Sequence, residues 1–204
     1  MKLDDPRDDL HLYLKAARDA IVWKLDGLSE YDIRRPLTPT GTNLLGLVKH
    51  LATVELGYFG ATFGRPHNES LPWAEEDSAP NSDMWARADE SRADILGLYR
   101  RAWVHADATI EALPLDAIGH VPPHPWWGGT GDVTLQRIIV HVTVETSRHA
   151  GHADIVRELI DGKVGLRETS SDVDGGDEAW YQEYWSQLEA SATQAQATGV
   201  FCAE

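Results

Sequence analysis

Apolar positions recur at helical spacing in five segments of the chain, and no segment of useful length shows the alternation of a β-strand. The predicted helices span about 8–28, 42–63, 82–113, 132–161 and 177–196. Loops containing proline and glycine separate them, and a linker rich in glycine and aspartate over 163–176 precedes the last helix. Four long helices joined by loops are typical of a four-helix bundle, so the sequence predicts an all-α fold with an additional C-terminal helix.

Residues that favour helix ends define the boundaries of these segments. Candidate N-caps are Thr42 or Asn43 for the second helix, Ser82 for the third, and Asp132 or Thr134 for the fourth. Gly162 is suited to end the fourth helix, because glycine accepts a left-handed backbone. A chain of 204 residues fits one domain, so we expect residues 1–165 to form the bundle and residues 166–204 to pack on it as a linker and a C-terminal helix.

The fourth predicted helix carries polar residues on an apolar face. At 100° per residue, four of them fall within a stripe about 80° wide. They are His141, Glu145, His149 and His152. Large aliphatic residues share this face, namely Ile138, Ile155, Val156 and Leu159. The opposite face is predicted to be solvated or weakly packed and carries Thr143, Ser147, Ala150, Asp154, Glu158 and Asp161. The polar stripe is therefore predicted to point towards the core.

Buried histidine and glutamate side chains need partners, because burying them unpaired costs several kcal/mol in all. A divalent cation would satisfy them, and residues four apart on a helix, such as Glu145 and His149, can bind one ion together. His50 on the second helix also faces the apolar side and is a third candidate ligand. Three protein ligands leave positions for water or substrate, as in catalytic zinc sites. The alternative interpretation is a polar network without a metal.

Composition limits the partners and the ligands. The net charge is −15, with 33 acidic and 18 basic residues and no basic run, so nucleic acid and anionic membrane are not expected partners. The single cysteine, Cys202, excludes a cysteine-rich zinc site. No apolar run is long enough to cross a membrane. The N-terminal sequence MKLDDPRDDL is acidic and lacks the apolar core of a secretory signal, so the cytoplasm is the expected compartment.

Two motifs carry a resemblance to a known family. LVKHLATVE on the second helix and ETSRHAGHADIVRELIDG on the fourth resemble the DinB-like (YfiT-like) metalloenzyme superfamily over roughly residues 8–165. Within it, the chain is similar to the DUF664 group, which is related to mycothiol-dependent maleylpyruvate isomerase and to mycothiol S-transferases. The isomerase branch likewise has glutamate at the first position of the pair on the fourth helix. The resemblance thus implies metal ligation by His50, Glu145 and His149.

The resemblance also implies a thiol-dependent enzyme. A low-molecular-weight thiol, mycothiol in this family, would bind the metal as thiolate and be transferred to a small electrophilic molecule. Zinc is the expected metal, and nickel, iron and manganese stay open because such a site accepts them all. His152 stands where relatives have glutamine or an acidic residue, and His141 lies one turn before Glu145. Both are candidates for acid–base chemistry or for orienting a ligand.

Other residues are candidates for binding the thiol or the substrate. The loop 122–129 contains Trp126 and Trp127, which either wall an apolar pocket or cap one end of the bundle. Arg148 and Arg157 either contact the polar groups of the thiol or are solvated. Two other functions stay open: a metal-dependent hydrolase that uses zinc-bound hydroxide, and a non-catalytic metal-binding or dimerising module. Dimers occur among similar proteins, so a homodimer is one expectation.

Overall fold

The computed structural model describes residues 5–122, 130–169 and 175–197, and they are mainly α-helical, as predicted. The five helices are α1 (Pro6–Trp23), α2 (Leu44–Phe59), α3 (Arg92–Ala112), α4 (Leu135–Asp161) and α5 (Glu178–Ala197). Short 3-10 turns occupy Ala61–Phe63 and Pro72–Ala74. Among these described residues, no helix combines the length and the apolar character needed to cross a membrane.

Capping residues begin and end the helices that form the site. The side chain of Asn43 accepts a hydrogen bond from the backbone amide of Gly46, which identifies Asn43 as the N-cap of α2. Thr134 caps α4 by accepting from the backbone amide of Arg137. Gly162 ends α4 with a left-handed φ of 75°, as the sequence predicted.

The start predicted for the third helix is wrong. α3 begins at Arg92, capped by Ser91, and the segment after Ser82 is a loop without regular structure. The carbonyl oxygens of this loop are bonded to the buried ammonium of Lys49 on α2. In a helix, those carbonyl oxygens would accept hydrogen bonds from the helix's own backbone amides. The buried ammonium of Lys49 needs acceptors, and this requirement outweighs the local helical pattern.

Two short strands also depart from the prediction of helices and loops. β1 (Ile118–His120) and β2 (Asp132–Thr134) pair antiparallel, with Gly119 opposite Val133. Each strand has three residues, which is too short for a detectable alternation of apolar and polar positions. β2 leads directly into α4, and the backbone amides of Leu135 and Gln136 at the start of that helix donate to the carbonyl oxygens of Ala117 and Leu115, just before β1.

The helices pack with α1 against α4 and α2 against α3, and α2 also contacts α4. Apolar side chains form the core between them. One part contains Leu44, Leu47, Val48, Leu51, Ile95, Leu98 and Tyr99, and another contains Phe59, Ile110, Val121, Val133, Ile138 and Val142. The contact of α2 with α4 sets the distance between the two helices that carry the predicted metal ligands.

The buried face of α4 differs from the face predicted. It is rotated by roughly 80° from the centre of the polar stripe, at 100° per residue. Its members are Leu135, Ile138, Ile139, Val142, Thr146, His149, Ala150, Ala153, Val156 and Arg157. Ile155 and Leu159, predicted to be buried, are 58% and 60% exposed, and Ala150 is buried rather than solvated. The polar stripe therefore lies at the edge of the buried face and borders solvent.

Every described residue of α5 is exposed. Its large exposed apolar side chains are Trp180, Tyr181, Tyr184, Trp185 and Leu188. The packing of residues 166–204 on the bundle stays a prediction.

A buried ion pair, together with a partly exposed aspartate, joins three helices of the bundle. Arg18 on α1 donates to both carboxylate oxygens of Glu55 on α2, at 2.9 and 2.5 Å. It also donates to Asp107 on α3 at 2.7 Å, and Asp107 contacts His11 at 2.8 Å. Arg18 and Glu55 are both almost fully buried, so each depends on the other for its hydrogen bonds.

We expect Arg18→Met to lower the free energy of unfolding by about 3–5 kcal/mol, because it leaves the Glu55 carboxylate buried without its partner. The double variant Arg18→Met/Glu55→Leu should recover most of the loss, since both charges are then removed. Urea denaturation followed by circular dichroism measures both changes.

Arg101→Met is the matched control, because Arg101 makes the same two-bonded contact with Glu69 at 2.7 and 3.0 Å on the protein surface. Its effect should stay below about 1 kcal/mol, as for surface ion pairs in general. Equal losses for the two arginine variants would contradict a special role for the buried pair.

Candidate metal centre

Three predicted ligands come together where α2 faces α4. The Nε2 atom of His149 lies 3.0 Å from Oε1 of Glu145, and Nε2 of His50 lies 3.6 Å from the same oxygen. One potential ligand atom from each of the three side chains lies within 4.8 Å of the other two. The two imidazole rings meet edge to face, with centroids 4.9 Å apart. This spacing allows one cation to contact all three residues.

The sequence builds this arrangement from two helical relationships. Glu145 and His149 are four residues apart on α4, so their side chains lie one above the other on the same face. His50 is on α2, and the packing of α2 on α4 brings it opposite them. His149 is buried, whereas the side chains of His50 and Glu145 are 20% and 26% exposed. The centre is therefore anchored in the core on one side and open on the other.

The electrostatics of the centre favour the protonation states that bind metals. Burial alone would raise the pKa of Glu145. His149 and His50 act against burial through their charges and their hydrogen bonds to the carboxylate, and as a result the pKa of Glu145 is lowered. Burial, aided by the charge of His50, lowers the pKa of His149, although Glu145 opposes the shift. A charged carboxylate and a neutral imidazole result, and these are the ligand forms of the two side chains.

Each histidine of the centre has a side-chain partner on its other ring nitrogen. Nδ1 of His50 lies 2.6 Å from Oδ2 of Asp83, and Nδ1 of His149 lies 3.3 Å from Nδ1 of His152. Partners of this kind orient the ring and select its tautomer. In both cases they leave Nε2 directed at Glu145.

The donor set fits a divalent transition metal. Two imidazole nitrogens and one carboxylate oxygen are ligands that zinc, nickel, iron and manganese all accept. Three protein ligands leave coordination positions for a small molecule. The chemistry of these side chains therefore agrees with a catalytic centre better than with a closed structural site.

An open cleft of about 1100 Å³ borders the three side chains. Its wall is mostly apolar and includes a few polar side chains. The lining residues are His50, Thr53, Val54, Gly57, Tyr58, Ala61, Thr62, His120, Val121, Pro122, His141, Val144, Glu145 and Arg148. A cleft that combines an apolar wall with a few convergent polar groups is typical of small-molecule sites.

The other predicted site residues take different positions. His141 lines the cleft, and its ring packs edge to face on Tyr58 with centroids 4.8 Å apart. Burial, with a smaller effect of Arg137, lowers the pKa of His141 although Glu145 opposes it, so the ring is neutral at pH 7. His152 does not line the cleft. It is exposed and contacts Nδ1 of His149, the ring nitrogen that is not directed at Glu145.

The residues predicted to bind the thiol or the substrate also take different positions. Arg148 is exposed and lines the cleft one turn after Glu145. Arg157 is buried instead, where it donates to the carbonyl oxygens of Lys24 and Asp26, so it is neither solvated nor available to a thiol. Trp126 and Trp127 lie outside the described residues.

Two residues of the site were missed by the sequence analysis. Tyr58 could have been found, because it falls on the same helical face as His50, about 80° away. Asp83 gave no signal, because it lies in a loop and is 33 residues from His50 in the chain. A side chain that reaches a ligand from an irregular loop has no periodicity that points to it.

Comparisons with known proteins identify the family of the chain. No curated protein matches the chain. A family profile described as mycothiol S-transferase matches residues 9–162, which is about three quarters of the 204 residues and includes all four helices of the bundle almost completely. The chain therefore belongs to the mycothiol S-transferase family.

Proposed function

We propose that this protein is a metal-dependent transferase that moves a low-molecular-weight thiol, mycothiol by its family, onto a small electrophile. The observation that carries the proposal is the convergence of His50, Glu145 and His149 at the wall of a mostly apolar cleft. The family supplies the thiol, and the donor set supplies the reason for a divalent cation.

His50, Glu145 and His149 would hold the cation, with zinc as the expected metal and nickel, iron or manganese as alternatives. Such an ion lowers the pKa of a thiol that ligates it, so that the thiolate is present at neutral pH. The protein's own contribution is to keep the imidazole of His149 neutral, to orient the two histidine rings through Asp83 and His152, and to leave one side of the centre open to the cleft.

In the transfer itself, the sulfur forms a bond to the electrophilic carbon. The bond from that carbon to the leaving group breaks, and the leaving group keeps the electron pair. The proton of the thiol must move to a base. His141 is the base that the geometry favours, because it lines the cleft and is neutral at pH 7. His152 would act through its contact with His149 rather than on the substrate.

The cleft suggests how the two substrates are bound. The apolar wall formed by Val54, Ala61 and Val144 suits the hydrophobic part of an electrophile. Arg148 stands at the same cleft and is placed to meet polar groups of the thiol.

A metal-dependent hydrolase is the second candidate function. The same three ligands leave a coordination position that water can take, and metal-bound water is a nucleophile in hydrolases. The two functions differ in one requirement, because a transferase needs an added thiol for turnover and a hydrolase does not.

We expect protein purified without an affinity tag to contain about one equivalent of divalent metal by elemental analysis, and His149→Ala to lose it. His149 is the most buried of the three candidate ligands, so its removal leaves too few donors for tight binding.

His120→Ala is the matched control for metal content, because His120 lines the same cleft but is not part of the three-residue group. It should retain the metal. Wild-type protein that takes up no metal, even after incubation with zinc or nickel, would contradict the proposed centre.

We expect the metal-loaded protein to conjugate mycothiol to monochlorobimane, and His141→Gln to lower kcat about 10²- to 10⁴-fold without loss of metal. These are the usual magnitudes when a general base is removed. The increase in fluorescence on conjugation follows the reaction.

His67→Gln serves as the control for the loss of a half-buried histidine, since His67 lies beside His105 and is not among the residues lining the cleft. Its kcat should be unchanged. Hydrolysis of ester substrates at full rate without any thiol would favour the hydrolase instead.

A further inference from the structure

The loop between α2 and α3 contacts the metal centre although it holds none of the three candidate ligands. Its last part, residues 79–91, has no regular helix or strand. We refer to these residues as the support loop. Asp83 lies in it, and Oδ2 of Asp83 is 2.6 Å from Nδ1 of His50. The role of this contact rests on the metal centre of the proposed function.

The contact with Asp83 selects one tautomer of His50. A carboxylate only accepts hydrogen bonds, so the nitrogen 2.6 Å from it carries the proton. Nε2 then keeps its lone pair, and this atom is the one directed towards Glu145. Asp83 therefore selects the metal-binding tautomer of His50 by contacting Nδ1, the ring nitrogen that would not bind the metal.

A buried lysine next to His50 in the sequence holds the support loop in place. Lys49 is 1% exposed, and its ammonium donates to the carbonyl oxygens of Ser82 and Trp85, both at 3.1 Å. It also donates to Glu90 at 3.0 Å. The two carbonyls stand on either side of Asp83 in the chain, so the bonds fix the backbone that carries its carboxylate.

The start of α2 holds the same loop from a second side. The side-chain amide of Asn43 donates to the carbonyl oxygen of Met84 at 3.0 Å. Gly46 faces this carbonyl so closely that a Cβ atom there would lie 1.9 Å from the oxygen. Only glycine permits this approach, so the backbone of the support loop is seated directly on α2.

We infer that Asp83 is a positioning residue for the metal ligand His50, and that Lys49 keeps Asp83 in register with it. Lys49 and His50 are consecutive on α2, so the residue that holds the loop moves together with the ligand that the loop supports. Metal affinity then depends on a loop that contributes no ligand. Asp83 acts on the far ring nitrogen and is not a fourth ligand.

The first experiment compares zinc affinity of wild type, Asp83→Asn and Asp83→Ala by competition with a chromogenic chelator. We expect both variants to bind zinc about 10- to 100-fold more weakly, the usual effect of removing such a partner. Asp89→Asn is the matched control, because Asp89 is an exposed acid of the same loop that pairs with Arg87. Its affinity should equal that of wild type.

The second readout is the tautomer of His50 in the metal-free protein, measured by ¹⁵N nuclear magnetic resonance. Wild type should carry the proton on Nδ1, and Asp83→Ala should shift the population towards the Nε2 form. This readout requires neither metal nor activity, so it separates a failure of the positioning role from a failure of the proposed function.

The role of Lys49 is tested with Lys49→Met and with Glu90→Gln, a milder change that weakens the same contact. Each should reduce zinc affinity in the presence of Asp83 and have little additional effect in the Asp83→Ala background, because the two act through one contact. Glu90→Gln keeps the test available if Lys49→Met does not fold.

Three results would overturn the inference. Asp83→Ala that binds zinc as tightly as wild type and keeps the Nδ1 tautomer would leave Asp83 without a positioning role, while the proposed function would stand. Loss of zinc binding as complete as that of His149→Ala would make Asp83 a ligand. Wild-type protein that takes up neither zinc nor nickel would remove both the inference and the metal centre.

Discussion

A cation buried in an apolar core must have its hydrogen bonds satisfied, and this constraint shapes the described part of the molecule at four places. The nearly fully buried cations among the described residues are Arg18, Lys24, Lys49 and Arg157. Arg18 joins α1, α2 and α3 through two carboxylates. Lys24 bonds to Asp154 and to the carbonyl of Gly165, and Arg157 bonds to carbonyls at the end of α1. In a chain with net charge −15, these basic residues act as internal cross-links rather than as solvated groups.

The candidate metal centre depends on these links because its ligands come from helices that are far apart in the sequence. His50 must lie within reach of Glu145 and His149, and the packing of α2 on α4 provides this. Arg18 fixes α2 against α1, which in turn packs on α4. Lys49 fixes the loop that contacts His50. The distances between the three candidate ligands are therefore set by contacts that extend through the bundle.

Much of the fold and of the candidate site could be predicted, because helical periodicity is a strong signal. It identified the bundle and the stripe from His141 to His152 on α4. The features that helical periodicity did not predict depend on contacts between residues distant in the sequence. α1 ends at Trp23 instead of near residue 28, and Arg157 donates to the carbonyl oxygens of Lys24 and Asp26 directly after it. The loop at Ser82 is bonded to Lys49 in the same way. Asp83 escaped for the same reason. Local pattern predicts which residues can form a helix, whereas a buried charge elsewhere decides where the helix stops.

The departure of α4 from its predicted face has a functional meaning. Periodicity placed the polar stripe at the centre of the buried face, but the structure has it at the edge, with Leu159 60% exposed beyond it. At the centre of the core, three ligands could bind a metal but no substrate could reach it. At the edge, His149 anchors the site in the core while Glu145 and Arg148 border the cleft. Sequence rules fail at functional sites more often than elsewhere, because such sites must combine rigid support with access. The exposed side chains of Ile155 and Leu159 lie on the same side of α4 as the stripe, outside the buried face.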